Sequence, residues 1–391
     1  LARPIVDAEM RPVPDGAQTD GAQGQTRANP LGGALRPDFS RAPMTLAWEV
    51  TRACPLRCVH CRADAQHHRD TRELSTEEGA TLVDEAAAMG TRVFVLTGGD
   101  PLARPDIFDL VAHVASTGMY VGFSPSVTGR LRSGALERAV AAGTGTIHLS
   151  LDGATPATHD AFRGVEGHFE RTWRAIDAVC ALGARLQIAT TVSRRNITEL
   201  PAIARLLDGR VASWTLFFLV TTGRAQAADM LTADQEELAL HWLASGEFSF
   251  TVRTVEAPQY RRVRAQLNLP VAPGVTDGNG FCFVSHVGEV QPSGFLPLTV
   301  GNVRDRPLRH WYQDHPVFRA LRDPAQRGGK CGRCEFLEIC GGSRARAWAA
   351  TGDPLAADPT CAYEPRGDRS DPVITGRGMQ TSTHRSHQSP P

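Results

Sequence analysis

Between residues 45 and 255 the hydrophobic positions fall into two alternating kinds. Short, dense apolar runs occur at 45–50 (TLAWEV), 92–97 (RVFVLT), 119–124 (MYVGFS), 146–151 (TIHLSL), 186–192 (LQIATTV) and 213–219 (SWTLFFL). They are rich in β-branched and aromatic residues, the mark of strands buried on both faces of a parallel sheet. The stretches between them carry apolar residues three or four positions apart, which is helical spacing. Ser75 with Glu78 three residues later makes a capping box that opens a helix over 75–89. Phe169, Trp173, Ile176 and Cys180 fall on one helical face, so Cys180 is expected to pack in the core; Ile197, Leu200, Ile203 and Leu207 mark a further helix. Six strand–helix units predict an α/β fold with a parallel sheet covered on its outer face. Six are too few to close an eight-stranded barrel, so a partial (β/α)6 TIM-like barrel over 43–255 is expected, with its chemistry beyond the C-terminal strand ends. Residues 249–255 (SFTVRTV) add an edge strand or begin another layer. Residues 256–280, with Pro and Gly, read as a connection into a small C-terminal domain spanning 256–365, whereas 1–40 and 366–391 are polar and expected to be disordered.

Composition narrows the function classes. Lys+Arg and Asp+Glu both number 42, so there is no basic excess of the kind a nucleic-acid or membrane-surface partner would call for. No apolar run is long enough for a transmembrane helix, and residues 1–40 lack an apolar core of signal-peptide type, so a cytoplasmic location is expected.

Nine cysteines, at 54, 58, 61, 180, 282, 331, 334, 340 and 361, are an odd number gathered in two groups, which suits metal binding better than a disulfide framework. Cys54, Cys58 and Cys61 form C-x3-C-x2-C directly after the first strand, and Pro55 keeps the segment from being a helix interior. Three thiolates on one loop hold three irons of a cubane cluster and leave the fourth iron open, the feature of a catalytic rather than a closed site. Zinc is the alternative if His60, His67 or His68 supplies a fourth ligand. Cys331, Cys334, Cys340 and Cys361 give C-x2-C-x5-C-x20-C, a closed four-thiolate set. Only one C-x2-C pair is present, which favours iron–sulfur over a zinc ribbon, with structural zinc still open.

The first motif and its surroundings resemble the radical S-adenosylmethionine (SAM) superfamily. The resemblance implies that Cys54, Cys58 and Cys61 hold a [4Fe–4S] cluster whose open iron is chelated by SAM, and that one electron splits SAM into methionine and a 5′-deoxyadenosyl radical. It also implies SAM contacts. His60 fills the slot where the family places an aromatic beside the adenine, and Thr97-Gly98-Gly99-Asp100-Pro101 corresponds to the glycine-rich segment at the SAM ammonium, with Asp100 where Glu is usual. Ser150-Leu151-Asp152-Gly153 corresponds to the segment near the ribose. Ser124 and Ser126 after the third strand, and Arg163 after the fourth, are positional candidates for hydrogen bonds and a carboxylate partner. The C-terminal cysteines resemble the appended SPASM/twitch-like auxiliary-cluster domain, implying a second [4Fe–4S] cluster. Cys340-Gly341-Gly342-Ser343-Arg344-Ala345-Arg346-Ala347-Trp348 followed by Thr351-Gly352-Asp353-Pro354 is similar to the branch of haem d1 and SAM-dependent haem biosynthesis. Ser293 and Ser343 stand where peptide-modifying branches often have cysteine, so a further auxiliary cluster is not expected, and Cys282 reads as a buried thiol rather than a ligand.

The function implied is a radical SAM oxidoreductase that decarboxylates tetrapyrrole propionates in haem biosynthesis, with Arg344 and Arg346 as candidate carboxylate anchors or, equally, residues of a solvated helix face. Its partners would be a small molecule such as a tetrapyrrole, or a peptide, and an electron donor such as a flavodoxin or ferredoxin. One alternative is maturation of a ribosomal peptide; the 40 residues before the first strand look too short and polar for a peptide-binding domain. The other is a non-catalytic iron–sulfur or zinc scaffold, against which the strand-end segments 97–101 and 150–153 weigh.

Overall fold

The computed structural model describes residues 39–366; the segments expected to be disordered lie, but for their innermost residues, outside the described ones. Seven strands run parallel in sequence order: β1 (Thr45–Glu49), β2 (Val93–Thr97), β3 (Tyr120–Phe123), β4 (Thr146–Ser150), β5 (Leu186–Val192), β6 (Ser213–Phe218) and β7 (Thr251–Val255). The run at 249–255 therefore supplies a seventh parallel strand, hydrogen-bonded along β6 from Ser213↔Thr251 to Phe217↔Val255.

Between them lie helices α1 (Thr76–Met89), α2 (Ile107–Ser116), α3 (Ser133–Ala141), α4 (Pro156–Arg163), α5 (His168–Ala181), α6 (Leu200–Leu207) and α7 (Ala233–Ser245). The expected capping box opens α1: the Ser75 hydroxyl accepts from Glu78 N–H at 3.2 Å while the Glu78 carboxylate accepts from Ser75 N–H at 2.8 Å. Gly90, at φ 96°, closes the helix in the left-handed region that a Cβ disfavours. In β5 burial alternates along the strand, and Leu186, Ile188 and Val192 join the core beneath the helices.

Helix α5 departs from expectation. Its buried strip runs through Thr172, Ala175, Ile176 and Val179, while Cys180 is exposed and its thiol reaches only the Arg210 carbonyl at 3.5 Å. The partly buried rings of Phe169 and Trp173 lie at the strip's edge, so a face drawn through them is rotated away from the true one.

The sheet also extends beyond β1. β8 (Thr276–Asp277), β9 (Gly280–Val284), β10 (Glu289–Gln291) and β11 (Gly301–Asn302) come from the C-terminal region, and β9 pairs parallel to β1 in the register Thr45↔Phe281 to Trp48↔Val284. The strand order is β11-β10-β9-β1-β2-β3-β4-β5-β6-β7, with β8 on the start of β9, so the path is open. Cys282, opposite Leu46, is fully buried in the outer-face core with Leu46 and Trp48, as expected of a packing thiol. Burial pushes that thiol far above its usual range.

The remaining helices are α8 (Gln259–Gln266), α9 (Pro316–Arg322), α10 (Gly329–Gly332) and α11 (Arg344–Thr351). Helix α11 links the β7 end of the sheet to β8. On the β7 side Ser343, its N-cap, donates to Glu256 at 2.5 Å, and Arg346 pairs with Glu236 of α7 at 2.6 Å. On the other side Ala345 N–H donates to Asp277 of β8 at 3.2 Å. Among the described residues no helix is long and apolar enough to cross a membrane.

Candidate active site

All seven parallel strands end at one rim, and the loops leaving it carry the residues singled out by the sequence. The three-cysteine loop leaves β1. Its approach is pinned by the segment after β2: Gly99 N–H donates to Thr51 O at 2.7 Å and Asp100 N–H to Ala53 O at 2.8 Å. A Cβ on Gly98 would strike the Thr51 carbonyl, and one on Gly99 would stand 2.7 Å from the carbonyl oxygens of both Arg52 and Ala53. The two glycines are thus needed for a close approach of two backbones. Asp100 turns inward, its carboxylate accepting from Thr128 Oγ1 at 2.6 Å and from Leu102 N–H at 3.2 Å, and burial raises its pKa.

Each thiol of the loop has a hydrogen-bond partner. The Cys54 thiol lies 3.8 Å from Ser126 Oγ, which itself donates to the Gly99 carbonyl at 2.6 Å. Ala65 N–H donates to Cys61 Sγ at 3.5 Å, and Arg163 Nη1 donates to Cys58 Sγ at 3.7 Å. Donors aimed at Cys58 and Cys61 suit sulfur that carries negative charge, the form in which cysteine ligates metal. Burial pushes Cys54 up to about 11 and also raises Cys58, so binding any metal there displaces protons. His67 and His68 are exposed.

Arg163 is buried, ending α4, and is clamped between Cys58 and the buried carboxylate of Asp152. The α4 end and the cysteine loop are joined main chain to main chain, Arg57 N–H to Arg163 O at 3.2 Å and Val59 N–H to Phe162 O at 3.0 Å. Asp152 also accepts from Thr191 N–H at 2.7 Å; burial raises its pKa, but Arg163 and the other polar partners outweigh it and hold the group below its usual value. The His60 ring lies 3.8 Å from Asp152 and 5.4 Å from the Phe162 ring, and desolvation brings its pKa down to about 4. Ser124 shares a 2.9 Å hydrogen bond with His148, which burial likewise holds at about 4. Ser150 is half-buried at the end of β4.

Three sets of residues at this rim were not anticipated. Glu49, fully buried at the end of β1, is held by Arg62 at 2.7 Å, Arg52 at 2.9 Å and His286 at 3.2 Å. Burial raises its pKa, but the charge of Arg62, the His286 contact and the charge of Arg52 outweigh it and bring the group down to about 2. Behind Asp152, the main-chain N–H of Asp152 donates to His159 Nδ1 at 3.0 Å, so the neutral ring carries its proton on Nε2 and donates a hydrogen bond to His168 Nδ1 at 2.9 Å. Arg224, in the loop after β6, donates its main-chain N–H to Cys61 O at 3.0 Å. The sequence signal for it was Gly223-Arg224 in the loop beyond the predicted strand 213–219.

The four C-terminal cysteines line one pocket, together with Arg262, Lys330, Phe336, Gly341, Gly342 and Tyr363. Asp358 N–H points at Cys331 Sγ (3.4 Å), and Arg344 Nη2 is 3.9 Å from the same sulfur. Burial raises Cys340 to about 12 and Cys361 to about 11. The surrounding cations suit a four-thiolate centre, whose charge is negative. Among the described residues no three His, Cys, Asp or Glu side chains are grouped so as to hold a single metal ion as they stand. Arg344 and Arg346 are neither solvated nor free. Arg344 donates to the carbonyls of Gly342, Pro354 and Ala356, and Arg346 binds both oxygens of Glu236, so neither is turned to an outside carboxylate.

Comparison with known proteins places these features in context. The model of the radical SAM superfamily matches residues 48–207. The chain is 39% identical to the AdoMet-dependent heme synthase of Methanosarcina barkeri, over 84% of this chain and 98% of that protein. It is 34% identical to the mycofactocin maturase MftC of Mycobacterium tuberculosis, over 82% of this chain and 83% of that one. Among solved structures, Streptococcus suis SuiB bound to S-adenosylmethionine superposes with a TM-score of 0.65 at 15% identity, covering 83% of this chain and 78% of SuiB, a likeness of fold.

Proposed function

The chain belongs to the radical SAM superfamily, and from that footing we propose that it is a haem-synthase-like enzyme that oxidatively decarboxylates propionate side chains of a tetrapyrrole. It is a radical SAM enzyme using a [4Fe–4S] cluster and SAM. When bound, these supply a 5′-deoxyadenosyl radical that takes a hydrogen atom from substrate; a propionate so attacked loses carbon dioxide and one electron and becomes a vinyl group.

In this reading Cys54, Cys58 and Cys61 hold the cluster. Gly98 and Gly99 let this segment lie against the cysteine loop, where Asp100 N–H bonds Ala53 O and Ser126 lies by the Cys54 thiol, and the segment would meet the SAM ammonium. His60 presents its unprotonated ring to the adenine, and Ser150 and Asp152 stand by the ribose. The Ser124 hydroxyl is already engaged by His148. Arg163 acts on Cys58 and Asp152 rather than on a SAM carboxylate, since its guanidinium is already shared between them. Cys331, Cys334, Cys340 and Cys361 hold an auxiliary [4Fe–4S] cluster, which would accept the electron released on decarboxylation. Reduction would come from a flavodoxin or ferredoxin.

The observation that carries the haem reading is the 39% identity spanning 98% of the M. barkeri heme synthase. Similarity to MftC favours peptide maturation as a second reading, at lower identity. The test is anaerobic reconstitution, followed by incubation with iron-coproporphyrin III, SAM and reductant. The expected result is 5′-deoxyadenosine with a porphyrin lighter by carbon dioxide and two hydrogens per side chain. Unaltered porphyrin mass from protein that does cleave SAM removes the haem reading and leaves the family intact.

A further inference from the structure

Three of the arginines at the rim are already engaged: Arg52 and Arg62 with Glu49, and Arg163 with Asp152. Arg224 is held differently. The loop that carries it is clamped to the cysteine loop. Gly223 sits at φ 63°, where a Cβ would collide with the carbonyls of Cys61 and Arg62, and Arg224 N–H bonds Cys61 O. Its backbone is therefore fixed beside the third cysteine. Its guanidinium, by contrast, has Nε and Nη2 both buried and without a hydrogen-bond acceptor. The ion-pair partner within reach is Asp64, 3.9 Å from Nε, whose side chain is 69% exposed.

Nε and Nη2 form one edge of the guanidinium fork, and two parallel N–H groups on that edge match the two oxygens of a carboxylate. Desolvated donors of this kind are disfavoured until an acceptor arrives. We propose that Arg224 binds a carboxylate of the molecules that react at this rim, through Nε and Nη2. The proposal rests on the reading of the three-cysteine loop as the SAM-binding centre. A carboxylate is carried both by SAM and by a propionate-bearing substrate, and it is the chemistry common to them that the fork selects.

The test uses reconstituted holoenzyme, parent against R224Q and R224K, with iron content and melting temperature measured for each. One arm titrates SAM against the reduced cluster by electron paramagnetic resonance. The other titrates iron-coproporphyrin III by its absorbance, alongside its tetramethyl ester, which has no carboxylate. Loss of a paired, charged contact should weaken binding about 10- to 100-fold in R224Q in one arm, with R224K between it and the parent. If the substrate is held, the weakening appears with the free acid and not with the ester; if SAM is held, it appears in the SAM arm alone. Less than a twofold change in both arms overturns the proposal. Should R224Q lose iron or fail to fold, the same threshold applied to R224K decides. D64A, which removes the competing carboxylate, should bind as tightly as the parent or more so; weaker binding also counts against the proposal. Failure of the underlying reading is distinguishable, because the parent itself would then show no SAM-dependent change in the cluster signal.

Discussion

Arg163 offers the sharpest quantitative test of how the chain treats its cluster. Its Nη1 lies 3.7 Å from Cys58 Sγ. Two unit charges at that distance, in an effective dielectric of about 20, interact by about 4.5 kcal/mol. If roughly a quarter of an added electron's charge resides near this one sulfur, its share is about 1 kcal/mol, or roughly 50 mV for a one-electron couple. Removing the cation disfavours the reduced, more negative state, so R163Q should lower the midpoint potential of the N-terminal cluster by about that amount. The single substitution also strands the Asp152 carboxylate, buried and cut off from its cation. Breaking a buried pair from one side costs about 3–5 kcal/mol of stability, so R163Q should also melt earlier. The double variant R163Q/D152N removes both charges; it should recover most of the potential and much of the stability. Potentiometric titration followed by electron paramagnetic resonance reads the first quantity, and denaturant unfolding the second. A fully metallated R163Q with a midpoint within about 10 mV of the parent would refute the electrostatic role.

Three further outcomes follow from the geometry. C58A should abolish 5′-deoxyadenosine formation, whereas C334A should leave SAM cleavage in place and stop product, a difference read by chromatography of both compounds. G99A places a methyl 2.7 Å from two carbonyl oxygens of the chain leading to Cys54, so it should cost about 1–3 kcal/mol and lower the iron bound per chain, measured by colorimetric iron assay. Glu49, held at about 2 by Arg62, His286 and Arg52, contributes stability that is present above its unfolded value of about 4.5 and lost as pH falls towards 2. E49Q should therefore be destabilised on the order of 3 kcal/mol at pH 7, with the gap to the parent narrowing below about pH 4.5 in denaturant titrations. A gap independent of pH would show that packing, not charge, is what the substitution disturbs.

The strands were legible in the sequence because a largely buried parallel strand is a short run rich in apolar and β-branched residues, even where burial alternates as in β5; the run at 186–192 coincides with Leu186–Val192. The cap of α1 was legible for a local reason, two side chains three residues apart serving each other's backbone. What stayed hidden depends on distant partners. Nothing local says that Gly280–Val284 lies parallel to β1, since register across the chain is set by whichever edge is left unpaired. The fate of Arg346 was equally opaque: its carboxylate partner Glu236 is 110 positions away, so a buried ion pair looked like an available cation. Cys180 misled for the opposite reason. Large rings at Phe169 and Trp173 suggested a face, yet the strip that α5 buries is made of smaller side chains one step around the helix.

The position of the second cysteine pocket follows from how the open sheet is completed. A sheet that stops short of closure leaves two edges with unpaired main-chain groups. Here α11 ties the β7 end to β8: Ser343 and Arg346 hold the β7 side through Glu256 and Glu236, and Ala345 holds the β8 side through Asp277. The same helix follows directly on Cys340-Gly341-Gly342, and Asp358, which points its N–H at Cys331, accepts from Gln259 of α8 and from Ser343 N–H, both at 2.7 Å. The contacts that tie the β7 end to β8 are therefore also the contacts that hold the pocket. On the other side β9 lies against β1, the strand from which the three-cysteine loop hangs, and Arg62 beside Cys61 reaches across to the Gly294 carbonyl and over the Phe283 ring at 4.6 Å. The separation of the two thiol groups is thus set by main-chain pairing and buried polar contacts rather than by a tether. Arg346 and Glu236, charges that would cost stability in isolation, are buried along this seam as a pair.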